Sequence, residues 1–390
     1  MNLLEQQLDY PFADTLPASG ATLDVAPGVK WIRMALPFAL DHINLWLLRD
    51  EMDNPDRPGD KIQGWTIVDC CISREESKAQ WEAIFATQLE GLPVLRVIVT
   101  HMHPDHIGLA YWLCERWTTA THVCRLWISA TDYHSARIGS QSTTGFGGES
   151  AARFFAAHGL VDPEAIEKIR GRASYYPGMV PAVPASYVRI MDGKTVRIGG
   201  RDWRCISGYG HAPEHIALHC EDISAPTVPT APAPQGSATG LGAARRPVGT
   251  LISGDMVLPR ISTNVSVYDL EPESNALTLF LESIDKFLPL DKDTLVLPSH
   301  GKPFRGLHTR IGQLHDHHRD RLAEVMQACE AAPCSAADIL PIMFPRKLDL
   351  HQTTFAMGEA VAHLHALWFQ EKLTRRLGAD GVYRFSSVSA

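Results

Sequence analysis

The densest chemistry in the chain lies in nine consecutive residues, Thr100-His101-Met102-His103-Pro104-Asp105-His106-Ile107-Gly108. Imidazole is a ligand that Zn, Fe and Mn accept, and imidazoles with an added carboxylate suit a hydrolytic centre better than a thiolate site. Spacing sharpens the reading. In extended backbone, residues two apart point the same way, so His101 and His103 can grip one ion together. The chain then turns at Pro104, so Asp105 and His106 can face a neighbouring ion. With 18 histidines in 390 residues, three at fixed positions arise by chance in roughly 1 window in 10,000.

Three more ligand-type residues follow. His211 lies in Gly210-His211-Ala212-Pro213, Asp255 follows Gly254, and His300 lies in Leu297-Pro298-Ser299-His300-Gly301. Each opens a loop at the end of an apolar, strand-like run, where a rigid scaffold commonly presents its reactive groups. Each alone is weak; their weight comes from joining the first cluster.

The elements that must position these residues read as alternating strands and helices. Strands are expected over Val29–Met34, Ile43–Leu48, Trp65–Asp69, Val94–Val99 and Leu126–Ser129, each rich in β-branched or large apolar residues. Helical spacing is expected over Glu75–Leu89, with Trp81, Ile84, Phe85 and Leu89 on one side, and over Ile107–Trp117. Later strands are expected over Ser186–Met191, Thr195–Ile198, Trp203–Ser207, Ile216–Cys220, Thr250–Ser253 and Thr294–Leu297. Such a mixture predicts an α/β architecture of two sheets, each covered by helices.

Residues 130–182 read as a helical insertion, with helices over Ser150–His158 and Pro163–Arg172 and a cap at Asp162. Ser224–Gly249, rich in Pro, Ala, Gly and Thr without periodicity, reads as a disordered surface loop. After Phe304 the character changes. An amphipathic helix is expected over Leu307–Ala331, a short one capped by Ser335, another over Thr353–Leu373, and a hairpin around Ala379-Asp380-Gly381. The division is a catalytic domain over 1–304 and a small, mostly helical C-terminal module over 305–390. His315, His317 and His318 read as a solvated helix face.

Composition narrows the function classes. Apolar residues are 45% and charged residues 21%, as in ordinary globular proteins. The formal charge of −8 argues against a nucleic-acid partner, whose phosphates attract basic faces. No stretch reaches the ~18 apolar residues of a membrane helix, and Met1–Tyr10 has no signal-peptide core. A cytoplasmic protein with no membrane partner is expected. The eight cysteines form no CxxC pair, so buried free thiols are expected rather than a zinc ribbon or disulfide framework.

Taken together, THMHPDHIG, GHAPEH, SGD and PSHGKPF resemble the metallo-β-lactamase superfamily, most closely its glyoxalase-II-like and β-lactamase-like hydrolase branches. The resemblance spans about residues 28–304. It implies a four-layer αββα sandwich with two divalent metal ions at the sheet edge, zinc first, with iron or manganese as alternatives. It implies that His101, His103 and His211 hold one ion, that Asp105, His106 and His300 hold the other, and that Asp255 bridges both. Asp69 matches the family's early Asp, which orients a ligand. The C-terminal module resembles the winged-helix-like tail of some relatives, with a helical lid or dimer contact as the alternative.

Departures from the family pattern matter. Asp255 stands where well-known zinc β-lactamases carry Cys, which disfavours antibiotic hydrolysis. His103 stands where diiron oxygen-reducing relatives carry Glu, which disfavours redox chemistry. Glu214 replaces the usual glycine of the GHxPGH segment, against a strict glyoxalase II.

Two ions ~3.5–4 Å apart can share a water and bring its pKa from ~15.7 towards ~7, giving a bridging hydroxide as nucleophile. Asp105 would orient that water or pass a proton. Substrate contacts are expected among His42, Asn44, Tyr209, Arg260, Asn264 and Lys302, and His215 is expected to be structural. The leading function is hydrolysis of an ester-type bond in a small-molecule substrate: a thioester, a lactone or a similar acyl compound. Alternatives are a phosphodiesterase or endoribonuclease and a non-catalytic metal-binding scaffold. From Arg305 to Ala390 there are ten Lys/Arg and nine Asp/Glu, too balanced for a phosphate-tracking surface. A homodimer is compatible with the sequence.

Overall fold

The computed structural model describes residues 3–54, 57–141, 147–172, 174–223 and 248–388. The loop expected over Ser224–Gly249 falls outside these residues apart from Val248 and Gly249.

Seven strands form the first sheet in chain order: β1 (Leu23–Ala26), β2 (Val29–Ala35), β3 (His42–Asp53), β4 (Lys61–Val68), β5 (Val94–Ile98), β6 (Arg125–Ile128) and β7 (Tyr187–Arg189). Pairing is antiparallel up to β4 and parallel from there on. The second sheet holds β8 (Thr195–Ile198), β9 (Arg201–Gly208), β10 (His215–Cys220), β11 (Thr250–Gly254) and β12 (Leu295–Pro298), again as neighbours in sequence order. A hairpin, β13 (Leu373–Leu377) with β14 (Tyr383–Ser387), stands apart.

The helices are α1 (Glu75–Thr87), α2 (Pro104–Ile107), α3 (Ala110–Trp117), α4 (Ala130–Gly139), α5 (Gly148–Ala157), α6 (Pro163–Arg170), α7 (Tyr175–Met179), α8 (Ala276–Asp285), α9 (Leu307–Ala331), α10 (Ala336–Met343) and α11 (Leu350–Phe369). The helix expected over Ile107–Trp117 is two pieces, α2 and α3, broken at Gly108-Leu109. β1, α4, α7 and α8 were not expected. Their apolar patterns are short or interrupted, and tertiary packing supplies what local preference does not. Ser335 caps α10 as expected, and Asp349 with Gln352 forms a second capping box that starts α11 three residues early.

Side-chain alternation along the strands explains the layers. Successive residues of a strand face opposite sides. Ile67 and Val97 point outward to meet Trp81, Ile84 and Leu113 of α1 and α3. Their neighbours Val68 and Ile98 point inward to meet Trp203, Ile216, Leu218, Ile252 and Leu297 of the second sheet. On that sheet's far side Ala217, Leu251 and Val296 pack against Phe280 of α8, Ile311 and Leu314 of α9, and Met357 and Leu364 of α11. The result is helix, sheet, sheet, helix. β5 is buried throughout, the continuous apolar pattern of a parallel strand covered on both faces.

The tail after Phe304 has no separate core. Phe304, Val325, Ile339, Val361 and Phe385 belong to the cluster that covers the second sheet. His318 corrects one expectation: it is fully buried against Phe280 and His363, on the same helical stripe as Ile311, Leu314 and Val325. The eight cysteines are free, seven of them buried. Among the described residues, no helix is long and apolar enough to cross a membrane.

Candidate metal centre

Every residue of the first cluster sits where a buried strand ends. β5 runs into Thr100 and His101, and Pro104 opens α2 with His103 at its N-cap. β9 leads to His211, β11 to Asp255 and β12 to His300. Gly254 is required between β11 and Asp255. Its φ is +54°, and a Cβ there would lie 2.1 Å from Nε2 of His215. His215 fills that space and its Nε2 accepts the Asp255 backbone N–H at 3.2 Å, so its role is structural, as expected.

The donor atoms converge in two groups, His101, His103, His211 and Asp255, then Asp105, His106 and His300. Nε2 of His101 lies 2.9 Å from Nδ1 of His103 and 3.2 Å from Nε2 of His211. Oδ2 of Asp105 lies 3.6 Å from Nε2 of His106 and 3.4 Å from Nε2 of His300. Asp255 spans the two groups. Its Oδ2 is 3.3 Å from His211, and its Oδ1 is 3.4 Å from His300 and 3.6 Å from His106.

The opposite ring nitrogens fix the tautomers. A carbonyl or carboxylate oxygen only accepts, so the imidazole nitrogen facing it carries the proton. Nδ1 of His211 faces the Asn264 carbonyl at 2.7 Å, and Nδ1 of His300 faces the His42 carbonyl at 2.7 Å. Nδ1 of His106 faces Asp69 at 2.8 Å. The Thr100 hydroxyl donates to Asp69 and lies 3.0 Å from Nδ1 of His101, which therefore donates to it. Four imidazoles thus keep Nδ1 for these partners and turn Nε2 inward, the orientation that a ligating histidine requires. His103 alone presents Nδ1.

Protein charges alone divide these groups. Burial and the neighbouring imidazoles hold His101 well below the usual histidine range, and His103 is lowered to about 3 by burial and by His211. Burial opposes ionisation of Asp105, but the imidazoles of His106 and His300 outweigh it and bring it down to about 2. His300 goes the other way, up to about 10, because Asp255 and Asp105 outweigh its burial. Asp69, Asp105 and Asp255 place three carboxylates among these imidazoles. Among the described residues, the buried Nε2 of His106 and Oδ1 of Asp255 have no hydrogen-bond partner. Unsatisfied atoms of this kind cost about 1–3 kcal/mol each, and two divalent ions would satisfy both. The donor set fits the ions that the motifs imply.

A cavity of about 720 Å³ opens over this floor. Its walls come from the β2–β3 loop (Leu36, Phe38), α7 and the segment before it (Arg172, Tyr175), the loop after Asp255 (Leu258, Ile261) and the tail (Phe344, Phe355).

Of the substrate contacts expected from sequence, only Asn264 lines this cavity. Its amide donates to Glu359 at 3.2 Å and its carboxamide oxygen accepts from Ser266 at 2.7 Å. Asn44 is fully buried and holds Trp31, Pro298 and Gly301. His42 positions His300: its carbonyl accepts from Nδ1 of that ring, and its own ring accepts the Gly301 N–H at 2.8 Å. Lys302 reaches Asp14 at 2.7 Å on the outside, because Gly301, at φ +90°, turns the chain away from the site. Arg260 is exposed to solvent. Tyr209 lies beneath Lys286 of the α8 segment, 5.1 Å from Nζ to ring centroid.

Asp69 faces Nδ1 of His106 at 2.8 Å. It also accepts the Thr100 backbone N–H at 2.8 Å, from a left-handed backbone at φ +62°. Sequence reasoning missed Asp132. Its buried carboxyl accepts the backbone N–H of Met102 at 2.7 Å and of Glu214 at 2.6 Å, tying the first motif to the His211 loop. The signal was present: Ser129 at the end of β6 followed by Asp132 is a capping pattern.

Comparison with known proteins agrees with this geometry. A family profile described as "Metallo-beta-lactamase superfamily" matches residues 61–223, and one described as "Metallo-beta-lactamase-like, C-terminal domain" matches residues 322–388. A β-lactamase domain protein from Burkholderia ambifaria is 54% identical over 99% of this chain and 100% of its own, with a TM-score of 0.85. A metallo-β-lactamase family protein from Thermus thermophilus shares the fold, at 24% identity over 93% of this chain and 99% of its own, with a TM-score of 0.67. Among curated proteins, the probable metallo-hydrolase YqjP of Bacillus subtilis is 23% identical over 361 residues, 90% of this chain and 96% of that one. On the combined weight of motif order, layered fold and near-full-length identity, the chain belongs to the metallo-β-lactamase superfamily.

Proposed function

We propose that the protein, a metal-dependent hydrolase of this superfamily, holds two divalent ions and cleaves an ester-type bond in a small acyl substrate such as a thioester or lactone. One observation carries the reading. Asp255 spans two donor groups on the floor of a mostly apolar cavity. A volume of about 720 Å³ falls inside the ~300–1,000 Å³ range of small-molecule sites.

His101, His103 and His211 would hold one ion, Asp105, His106 and His300 the other, and Asp255 both, with zinc proposed ahead of iron or manganese. Ions held there supply Lewis acidity and acidify water near neutral pH. The chain's own residues do the rest. Asp105 lines the cavity with its side chain 19% exposed, so its carboxylate can hold and orient a water and take up its proton. The carbonyls of His42 and Asn264 keep His300 and His211 from rotating. Leu36, Phe38, Leu258 and Phe355 exclude bulk water, which strengthens every charge interaction at the floor.

A mostly apolar cavity and a near-neutral tail do not favour RNA. The test is a panel of thioesters, lactones, phosphodiesters and RNA presented to protein reconstituted with Zn, Mn or Fe. Acyl substrates should turn over, and Asp105→Ala should lower kcat by about 10²–10⁴. Cleavage of RNA with no acyl turnover would overturn the reading. Binding of metal with no turnover of any class would leave the scaffold alternative.

A further inference from the structure

A cation in the cavity wall, Arg172, has no counter-ion among the described residues. Arg172 lines the cavity beside Tyr175 and His351, and its Nη1 is buried with no hydrogen-bond partner among the described residues. Nearby carboxylates are committed elsewhere. Glu149 and Glu167 both pair with Arg170, two residues earlier. Asp349, on the same wall, caps α11 through the Gln352 N–H at 2.8 Å. What Arg172 does touch is aromatic: its guanidinium lies 5.9 Å from the Tyr175 ring centroid, and the Tyr175 hydroxyl lies 3.2 Å from Nδ1 of His351.

Burying part of a guanidinium without an acceptor is costly, so a half-buried arginine that lacks one in a ligand cavity points to an acceptor on the ligand. The position is informative too. Arg172, Tyr175 and Asp105 line the same cavity, and the phenol of Tyr175 lies within electrostatic reach of both charges. The same wall carries apolar surface: Phe38, which stacks on His351 at 5.8 Å between centroids, and Phe355, at 4.9 Å from the same ring.

We propose that Arg172 anchors an anion-binding subsite in the wall of the cavity. The substrate then carries a carboxylate or phosphate group separated from its scissile bond by an apolar spacer that lies along Phe38 and Phe355. The proposal rests on the ester-type reading for the identity of the scissile bond alone; the subsite itself stands on the cavity wall.

Calorimetry on zinc-loaded protein tests it with three probes: octanoate, suberate and ω-phosphonooctanoate. Octanoate lacks a distal anion and serves as the internal control for folding and for the metal end. Wild type should bind at least one distal anion about tenfold more tightly than octanoate, the worth of a single charge-assisted hydrogen bond. Arg172→Gln should abolish that preference and leave octanoate affinity within about twofold. Whichever dianion gains more identifies the group as carboxylate or phosphate. Equal affinities for all three probes in wild type overturn the proposal, and so does an equal loss for octanoate and dianions in Arg172→Gln.

A kinetic arm separates the two readings. Octanoyl and hemisuberyl thioesters should differ in KM, and Arg172→Gln should erase the difference without lowering kcat. A suberate preference without turnover of either thioester sustains the subsite and sinks the ester-type function. Turnover of both at equal KM, with no binding preference, does the reverse.

Discussion

Asp69 shows how much one side chain can settle. It adopts a left-handed backbone conformation, φ +62°, which costs an ordinary residue roughly 1–2 kcal/mol. In return its carboxylate accepts from the Thr100 N–H, the Thr100 hydroxyl and Nδ1 of His106. Asn tolerates the same backbone but can present an amide N–H to His106, which would push the ring proton to Nε2. Asp69→Asn should therefore weaken metal binding about 10–100-fold with little change in unfolding midpoint of the metal-free protein. Competition with a chromophoric chelator measures this, and an unchanged affinity would show that Asp69 does not set the tautomer.

At the scale of elements, the candidate ligands sit at strand ends because a strand holds its last residue to a narrow direction while the following loop is free to turn. Gly254 marks where this becomes demanding. Gly254→Ala adds a Cβ 2.1 Å from the His215 ring at φ +54°. Left-handed strain of ~1–2 kcal/mol and overpacking of ~1–3 kcal/mol together predict a loss of about 2–5 kcal/mol in urea unfolding of the metal-free protein. A loss below ~0.5 kcal/mol, the ordinary surface value, would sink the claim that the site requires glycine.

α11 supplies a second case. It delivers Glu359 to the cavity wall, where the carboxylate accepts from Asn264. Burial pushes Glu359 up from 4.5 to about 7. The folded state thus keeps its proton where the unfolded chain has lost it, so this contribution is complete below pH 4.5 and is lost as pH rises through about 7. It amounts to something on the order of 3 kcal/mol. Glu359→Gln should flatten the fall in Tm across that window, and parallel wild-type and variant profiles would show that Glu359 titrates normally.

Across the whole molecule, buried histidines outside the metal centre pull the other way. His158 and His363 are held near 4, first by burial, against 6.5 in an open chain. The unfolded chain takes up their protons first, so their contribution is present above pH 6.5 and is lost as pH falls through about 4. Each is worth on the order of 3 kcal/mol. They lie where α5, α9 and α11 pack on the second sheet, with His158 beside His365 and Tyr383 and His363 beside His318. The double variant His158→Phe/His363→Leu should resist unfolding between pH 6.5 and 4 better than wild type in a melt followed by circular dichroism. Identical acid transitions would refute the assignment.

What could be read from the chain alone was local. The cluster from His101 to His106 is legible because its donors are neighbours in sequence, and backbone geometry alone brings them to one place. The strands flanking it are legible because alternation and apolar runs are properties of a few consecutive residues. His211, Asp255 and His300 were legible only as members of an ordered set. Tertiary structure decided the rest, because direction does not follow from proximity in sequence. Lys302 stands two residues from His300 and still points outward past Gly301. Arg172, His351 and Glu359 stand far from every motif and meet in one cavity. The stripe that buries His318 was present in the spacing of α9, but a polar residue there reads as solvated until a neighbouring helix covers it. Local sequence fixes what a residue can do; which side chains face one another across a cavity is set by long-range packing.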